Sequence, residues 1–326
     1  MSELSAEHPF DKLTPEFILD AIESVGLVSD ARVLTLNSYE NRVYQVGIED
    51  SEPLIAKFYR PDRWSRAQIL EEHRFTAELQ EAEIDVVAPL AFNGSETLFD
   101  YQDFSIALFP RCGGRTPDLE GEGVLAVIGR LLGRLHALGR TRKFDHRPAI
   151  TLEAYGVESI EFLRDNWVPA ELQPAYASLS ADLIACMQAK MDELKDVATI
   201  RTHSDFHIGN MIVRDDRIFM VDFDDTRSAP AIQDIWMLLS GDDDERARQL
   251  DVLLSAYGEF YDFDWRETRL IEVYRTLRLL YFSAWIGRRW NDPAFPKNFP
   301  WFDSPRYWSE HVLTLREQLA LLQQGS

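Results

Sequence analysis

Between residues 200 and 225 the chain reads IRTHSDFHIGNMIVRDDRIFMVDFDD. A His-x-Asp step, His203 to Asp205, is followed five residues later by Asn210. Two apolar runs, 211–213 and 218–221, flank Asp215 and Asp216, so a β-hairpin is expected there. Its second strand delivers Asp222, Phe223 and Asp224. A hard divalent cation such as Mg²⁺ takes oxygen ligands, commonly one or two from protein. Asn210 and Asp222, at the two ends of one hairpin, can supply such a pair. Asp205, on the loop before it, is placed to orient an acceptor hydroxyl and take its proton. The chemistry these types and spacings suit is phosphoryl transfer from Mg²⁺-bound ATP to a hydroxyl. Asp205 and Asp222 are the catalytic candidates, Asn210 and Asp222 the metal ligands.

Such a set works only if other elements hold it against a nucleotide. The spacing is that of the kinase catalytic loop, H-R-D-x-x-x-x-N, with Ser204 in place of Arg. Upstream, Thr14-Pro15-Glu16 predicts a helix start, and Phe17, Ile18, Ala21, Ile22 and Val25 its apolar stripe, closed by Gly26. Runs 32–36 and 42–46 predict a hairpin with the tip NSYEN. That tip stands where a kinase carries a Gly-rich loop over the phosphates, yet it holds no glycine; Ser38 is the expected phosphate contact. Run 54–59 predicts a strand with Lys57 among apolar residues. A buried ammonium needs a partner, and a helix over 69–82 offers Glu71 and Glu72. Glu72 shares a face with Phe75 and Leu79 and is the expected partner; the other glutamate should be solvated. Strands are expected over 86–90, 96–99 and 104–109, completing a small antiparallel sheet.

The rest of the chain reads as mainly helical. Leu125, Ile128, Leu131, Leu132 and Leu135 recur at helical spacing over 124–138, with His136 expected in packing or capping. Helices are expected through 152–195, with turns at 168–169 and 173–174. Others are expected from 232 to 239, 250 to 260, 272 to 290 and 310 to 324. Trp285 is expected in packing, and Arg288-Arg289 near an acceptor groove. His203 is expected to hold the loop around Asp205 and Asp222. Asp224 and Asp225 read either as carboxylates behind the metal site or as an acidic rim.

The ordered set His203, Asp205, Asn210, Asp222 resembles the signature of the aminoglycoside phosphotransferase and choline kinase superfamily. NSYENRVYQ, KFYRPDRW, ILEEHRF and DPAFPKNFPW further resemble a bacterial stress-response branch of it, whose members are Ser/Thr protein kinases. The resemblance implies an α+β, two-lobed protein-kinase-like fold with a small antiparallel-sheet N-lobe (1–110) and a mainly helical C-lobe (111–326). It implies ATP and Mg²⁺ in the cleft, Ser38 and Lys57 on phosphates, and backbone groups near Phe109 and Arg111 on adenine. It implies Asp234 as a brace for the catalytic loop. A protein substrate with a Ser/Thr acceptor, which could be the chain itself, is the expected partner; a small hydroxyl compound is the alternative. A monomer is expected.

Composition narrows the classes. The 326 residues are 45% hydrophobic and 12% aromatic, enough for sizeable cores. With 55 acidic against 34 basic residues the net charge is −21. That argues against nonspecific nucleic-acid binding, which needs clustered cations, and hints at a cationic acceptor. Two cysteines make no disulfide framework. Neither a transmembrane run nor a signal-peptide pattern in MSELSAEHPF is legible. A cytoplasmic protein that binds no membrane is expected.

Overall fold

The computed structural model describes residues 8–120 and 122–324. The opening residues, read above as lacking a leader, therefore lie mostly outside the described residues. Helix α1 (Pro15–Glu23) starts as its sequence dictates: Thr14 Oγ1 accepts from Phe17 N at 3.2 Å. Gly26, at φ +88°, turns the chain after it into a conformation costly for other residues. Five antiparallel strands follow in the spatial order β1-β2-β3-β5-β4: β1 (Ser29–Thr35), β2 (Arg42–Ile48), β3 (Leu54–Phe58), β4 (Phe99–Tyr101) and β5 (Phe104–Pro110).

The two-residue period of β3 sorts its side chains. Ala56 and Phe58 join Tyr44, Val46, Ile106 and Leu108 in a core against α1. Lys57, paired in register with Val43 and Ala107, must point to the opposite face. That face is covered by α2 (Arg66–Glu81). The helix begins one turn earlier than expected because Ser65 and Gln68 form a capping box, an S-x-x-Q signal present in the sequence. Phe75 and Leu79 of α2 pack into the core of the second lobe, so this helix is a joint between lobes.

Residues 86–90 are extended but form no strand, contrary to expectation. Val86 makes an isolated bridge to Met220, and Pro89, lacking an N–H, cannot extend a ladder. Of the 96–99 run, Glu96 bridges Phe92 across a tight turn at residues 93–95, and only Phe99 enters β4. After Pro110 the chain lies against a second hairpin. Arg115 and Val213 exchange backbone bonds of 3.1 and 2.7 Å. A Cβ on Gly114 would sit 2.3 Å from the Val213 carbonyl oxygen, so glycine permits this approach.

The second lobe is built on α3 (Glu122–Gly139), a π-helical turn (Glu153–Val157), α4 (Glu158–Asn166), α5 (Gln173–Glu193), α6 (Asp243–Tyr257), α7 (Ile271–Arg288), α8 (Ala294–Asn298) and α9 (Pro305–Gln324). Pro174 belongs to the first turn of α5 rather than to a separate turn. Helix α6 starts at the acidic run, capped by Asp242, well before the expected 250. Between α5 and α6 lie two small antiparallel pairs: β6 (Ile200–Thr202) with β9 (Arg227–Ala229), and β7 (Met211–Arg214) with β8 (Arg217–Met220). The β7–β8 turn has Asp215 and Asp216 at φ 51° and 59°, the hairpin turn their types favour. The expected helix over 232–239 is instead two short 3₁₀ turns. Its chain is pinned where Ile232 N donates to Glu267 and where Asp234 accepts from the catalytic loop. Among the described residues no helix is long and apolar enough to cross a membrane.

The DPAFPKNFPW segment does more than pack on its own lobe. Asp292, 2% exposed, accepts from Arg42 Nη2 at 2.9 and 3.0 Å and from Arg60 Nη2 at 2.6 Å, both from the first lobe. Asp292→Ala should leave these two guanidinium groups without their shared carboxylate and destabilise the protein by roughly 3 kcal/mol. A urea midpoint unchanged from wild type would show that this clasp contributes nothing.

Candidate active site

Strand β6 ends at Thr202, and the next residues form a loop whose backbone is fixed from below. Asp234, fully buried, accepts from His203 N and Ser204 N, both at 2.7 Å, and lies 3.0 Å from His136 Nε2. Gln233 Nε2 donates to the Ser204 carbonyl at 2.8 Å. These bonds hold Ser204 at φ +70°, an uncommon left-handed conformation for a residue with a side chain. The strained residue aims its successor, Asp205, into the cleft. His136 is accordingly a core residue, bonded also to Tyr257.

His203 ties this loop to β8. Its Nε2 lies 2.9 Å from the Val221 carbonyl oxygen, which can only accept, so Nε2 carries the proton. Val221 N in turn donates to the Asn210 carbonyl at 3.0 Å, which sets Asn210 beside the residue preceding Asp222. Asn210 Nδ2 donates to the Asp205 carbonyl at 2.9 Å, leaving its amide oxygen as the group able to coordinate. Asp222 is itself left-handed, φ +60°, and its side chain is 58% exposed to the cleft.

Above this floor, Lys57 is 6% exposed and sits among carboxylates: Asp224 Oδ1 at 2.9 Å, Asp222 Oδ1 at 3.3 Å and Glu72 Oε1 at 3.7 Å. Burial alone would depress its pKa, but Asp224 and Glu72 outweigh that and hold it well above the ordinary lysine value. Glu72 is therefore the glutamate facing Lys57, and Arg147 Nη2 holds its other oxygen at 2.6 Å. Burial outweighs both cations and pushes the Glu72 carboxyl up. Asp224 goes the other way: burial is overcome by Arg63 and Lys57, and it stays below the usual carboxylate range. Asp224 is thus a buried partner of Lys57, not a rim residue; Asp225, partly exposed, pairs with Arg63 at 2.6 Å.

The expectation that one of the two glutamates is solvated fails. Glu71 is 5% exposed and accepts from the backbone N–H of Asp145, His146 and Arg147 at 2.6, 2.9 and 2.7 Å. These partners lie 74 to 76 residues away in sequence, and no local pattern announces them.

One cleft of about 680 Å³ brings these groups together. Ser38, Lys57, Glu72, Phe109, Asp205, Asn210 and Asp222 all line it. Ser38 Oγ accepts from Val43 N at 3.1 Å, which fixes the loop tip. Arg111 does not line this cleft: its Nε donates to Gln45 Oε1 at 2.9 Å, and only its backbone is left to serve the site. Glu40, at the same tip, pairs with Arg60 at 2.9 Å and Arg289 at 2.6 Å and accepts from the Trp285 indole N–H. Arg289 thus secures the loop, whereas Arg288 packs over Phe162. Trp285 both packs on Phe295 and lines the cleft.

Sequence reasoning missed Arg278. Its Nη1 lies 2.6 Å from Asp205 Oδ1, reaching across from α7. His207 Nε2 lies 3.4 Å from Asp205 Oδ2. Burial would raise the Asp205 carboxyl, but His207 and Arg278 outweigh it and hold it well below the ordinary range.

A small sheet lobe, a buried lysine held by a helix glutamate, and a catalytic loop with an Asn–Asp pair below define a kinase-like phosphotransferase. Residues 32–271 match the family described as "Phosphotransferase enzyme family". Stress response kinase A of Escherichia coli (strain K12) is 45% identical over 316 residues, 97% of this chain and 95% of that protein. A Salmonella typhimurium protein named serine/threonine protein kinase RdoA is 45% identical over 314 residues, 96% of this chain and 94% of its own. Among solved structures, amicoumacin kinase hAmiN with AMP-PNP, Ca²⁺ and its ligand superposes with a TM-score of 0.73 at 17% identity. It covers 93% of this chain and 92% of that one, and shows a shared fold. The chain belongs to the phosphotransferase enzyme family. It is an ATP-dependent kinase.

Proposed function

We propose that the protein is a Mg²⁺-dependent Ser/Thr protein kinase acting in a bacterial stress response. The observation that carries the transfer chemistry is the convergence, in one cleft, of a lysine held by Asp224 and Glu72 with the Asn210–Asp222 pair and Asp205. The protein acceptor and the stress role are carried by the names of the relatives that match nearly the whole chain.

The donor set fits a hard cation. Asn210 offers an amide oxygen and Asp222 an exposed carboxylate, and among the described residues no cluster of three His, Cys, Asp or Glu competes for metal. Two protein oxygens suit Mg²⁺, which keeps water and phosphate oxygens for its remaining positions. When bound, it would neutralise charge on the phosphates. Lys57 would contact the phosphates from above, with Ser38 and the backbone of the loop tip closing over them. Phe109 and the backbone at Arg111 would border adenine. Asp205, held below the ordinary carboxylate range and so ionised, would orient the acceptor hydroxyl and take its proton as the acceptor oxygen bonds to the γ-phosphorus and the bond from that phosphorus to the β,γ-bridging oxygen breaks, releasing ADP.

The test is incubation with γ-labelled ATP and Mg²⁺, offering the protein itself, a generic protein substrate and a panel of small hydroxyl compounds. Label on protein Ser or Thr is expected. Turnover confined to a small compound would replace this reading with a metabolite kinase.

A further inference from the structure

Helix α7 presents Tyr274, Arg278, Tyr281, Phe282 and Trp285 to the cleft, a stripe at helical spacing with one cation among aromatic rings. The carboxylates nearby are mostly neutralised by the protein. Asp225 has Arg63 and, at 3.8 Å, Arg227; Glu40 has Arg60 and Arg289; Asp224 has Lys57 and Arg63. A cationic acceptor, which the net charge suggests, would find little left to pair with. The side chains of Lys57 and Arg63 are 7% and 9% exposed, whereas that of Arg278 is 39% exposed. Among the described residues its one carboxylate partner is Asp205, and its Nη1 is what touches Asp205 Oδ1. An acceptor hydroxyl that engages Asp205 therefore competes with the guanidinium for the same oxygen. Displaced, Arg278 needs another anion.

Resting on the protein-kinase reading above, we infer that Arg278 selects acceptors carrying an anionic group beside the hydroxyl. In a protein this is an Asp, a Glu or a phosphorylated residue next to the acceptor Ser or Thr. Arg278 exchanges Asp205 for that anion, so substrate recognition frees the base. The substrate anion completes a charge-assisted bidentate pair, and the hydroxyl takes the vacated Asp205 oxygen. The other groups facing Asp205 are His207, His203 and Asn210. Arg278 is thus a specificity residue for the acceptor and a positioning residue for Asp205.

The experiment uses the full chain, Mg²⁺ and labelled ATP with serine peptides whose flanking residues are Asp, Ala or Arg. Wild type should favour the acidic over the neutral peptide in kcat/KM by about ten-fold, with the basic peptide lowest. Arg278→Glu should reverse that order, and Arg278→Lys should keep it in weakened form. An order unchanged in Arg278→Glu, or a wild-type preference for basic peptides, overturns the inference. A second readout is Arg278→Gln, in which the acidic and neutral peptides should become equal in kcat/KM; a preference kept at its wild-type size also overturns the inference. Should no peptide be labelled while small hydroxyl compounds are, the protein-kinase reading fails. Arg278 is then judged by anionic against neutral small acceptors.

Discussion

Asp205→Asn is expected to lower kcat for phosphoryl transfer by about 10²- to 10⁴-fold, the usual contribution of a positioned acid–base group. The substitution keeps the shape of the side chain and removes its capacity to take the proton. Its backbone is held by the bonds of Asp234 and Gln233 to Ser204 and by Asn210 Nδ2 on the Asp205 carbonyl at 2.9 Å, none of which uses the Asp205 carboxylate. Nucleotide affinity, measured by calorimetry, should therefore change little, because Lys57, Asn210 and Asp222 remain. A variant that turns over at the wild-type rate would show that another group accepts the proton.

The second large effect belongs to Lys57. Lys57→Met keeps the volume of a side chain packed between β3 and α2 but removes the cation facing Asp224 and Glu72. Two expected results follow from different causes. Loss of a phosphate contact should cut kcat/KM for ATP by about 10²-fold or more. Loss of charge should cost roughly 3 kcal/mol of stability, the low end for breaking a buried ion pair, since Arg63 still holds Asp224 and Arg147 still holds Glu72. The pH dependence identifies the second cause. Without Lys57 the folded-state pKa values of Glu72 and Asp224 rise. A carboxylate whose folded pKa exceeds its unfolded value binds more protons when folded, so stability falls as pH rises between the two values. The deficit relative to wild type should be largest near neutrality and shrink on acidification. A deficit equal at all pH values would place its origin in packing instead.

These effects depend on residues whose visibility in the sequence differs for physical reasons. The 200–225 stretch was legible because its chemistry is local. The hairpin turn, the apolar alternation and the Asp–Asn spacing all lie within one segment, and the structure brings them together through the Val221–Asn210 bond. Lys57 was legible as a charge in a strand whose alternation forced it inward. Its partner was only half legible. Helical spacing favoured Glu72, but the fate of Glu71 was set by backbone N–H groups at 145–147, which no pattern near α2 reveals. The extended run at 86–90 shows the limit of apolar pattern alone, since Pro89 withholds the N–H that pairing would need.

The residues that escaped are those defined by contacts between distant segments. Arg278 lies on a helix that reads as a packing element, and only the meeting of α7 with the catalytic loop gives it a role. Glu40 and Asp292 are unremarkable acids in sequence. In the fold they gather Arg60, Arg289 and Arg42 and fasten the loop tip to the second lobe. Fastened in this way, the tip is held where, on the function proposed above, backbone and Ser38 would cover the phosphates in place of a glycine loop. The order of elements along the chain made the lobes legible; the arginine network that joins them was not.

The proposed function requires that nucleotide phosphates and a divalent cation be held between Lys57 and the Asn210–Asp222 pair. A crystal structure with Mg²⁺ and a non-hydrolysable ATP analogue tests it most directly. The ion is expected on the Asn210 amide oxygen and an Asp222 carboxylate oxygen at about 2.1 Å, with Lys57 Nζ on the phosphates. Nucleotide bound outside this cleft, or an ion ligated by neither residue, would contradict it.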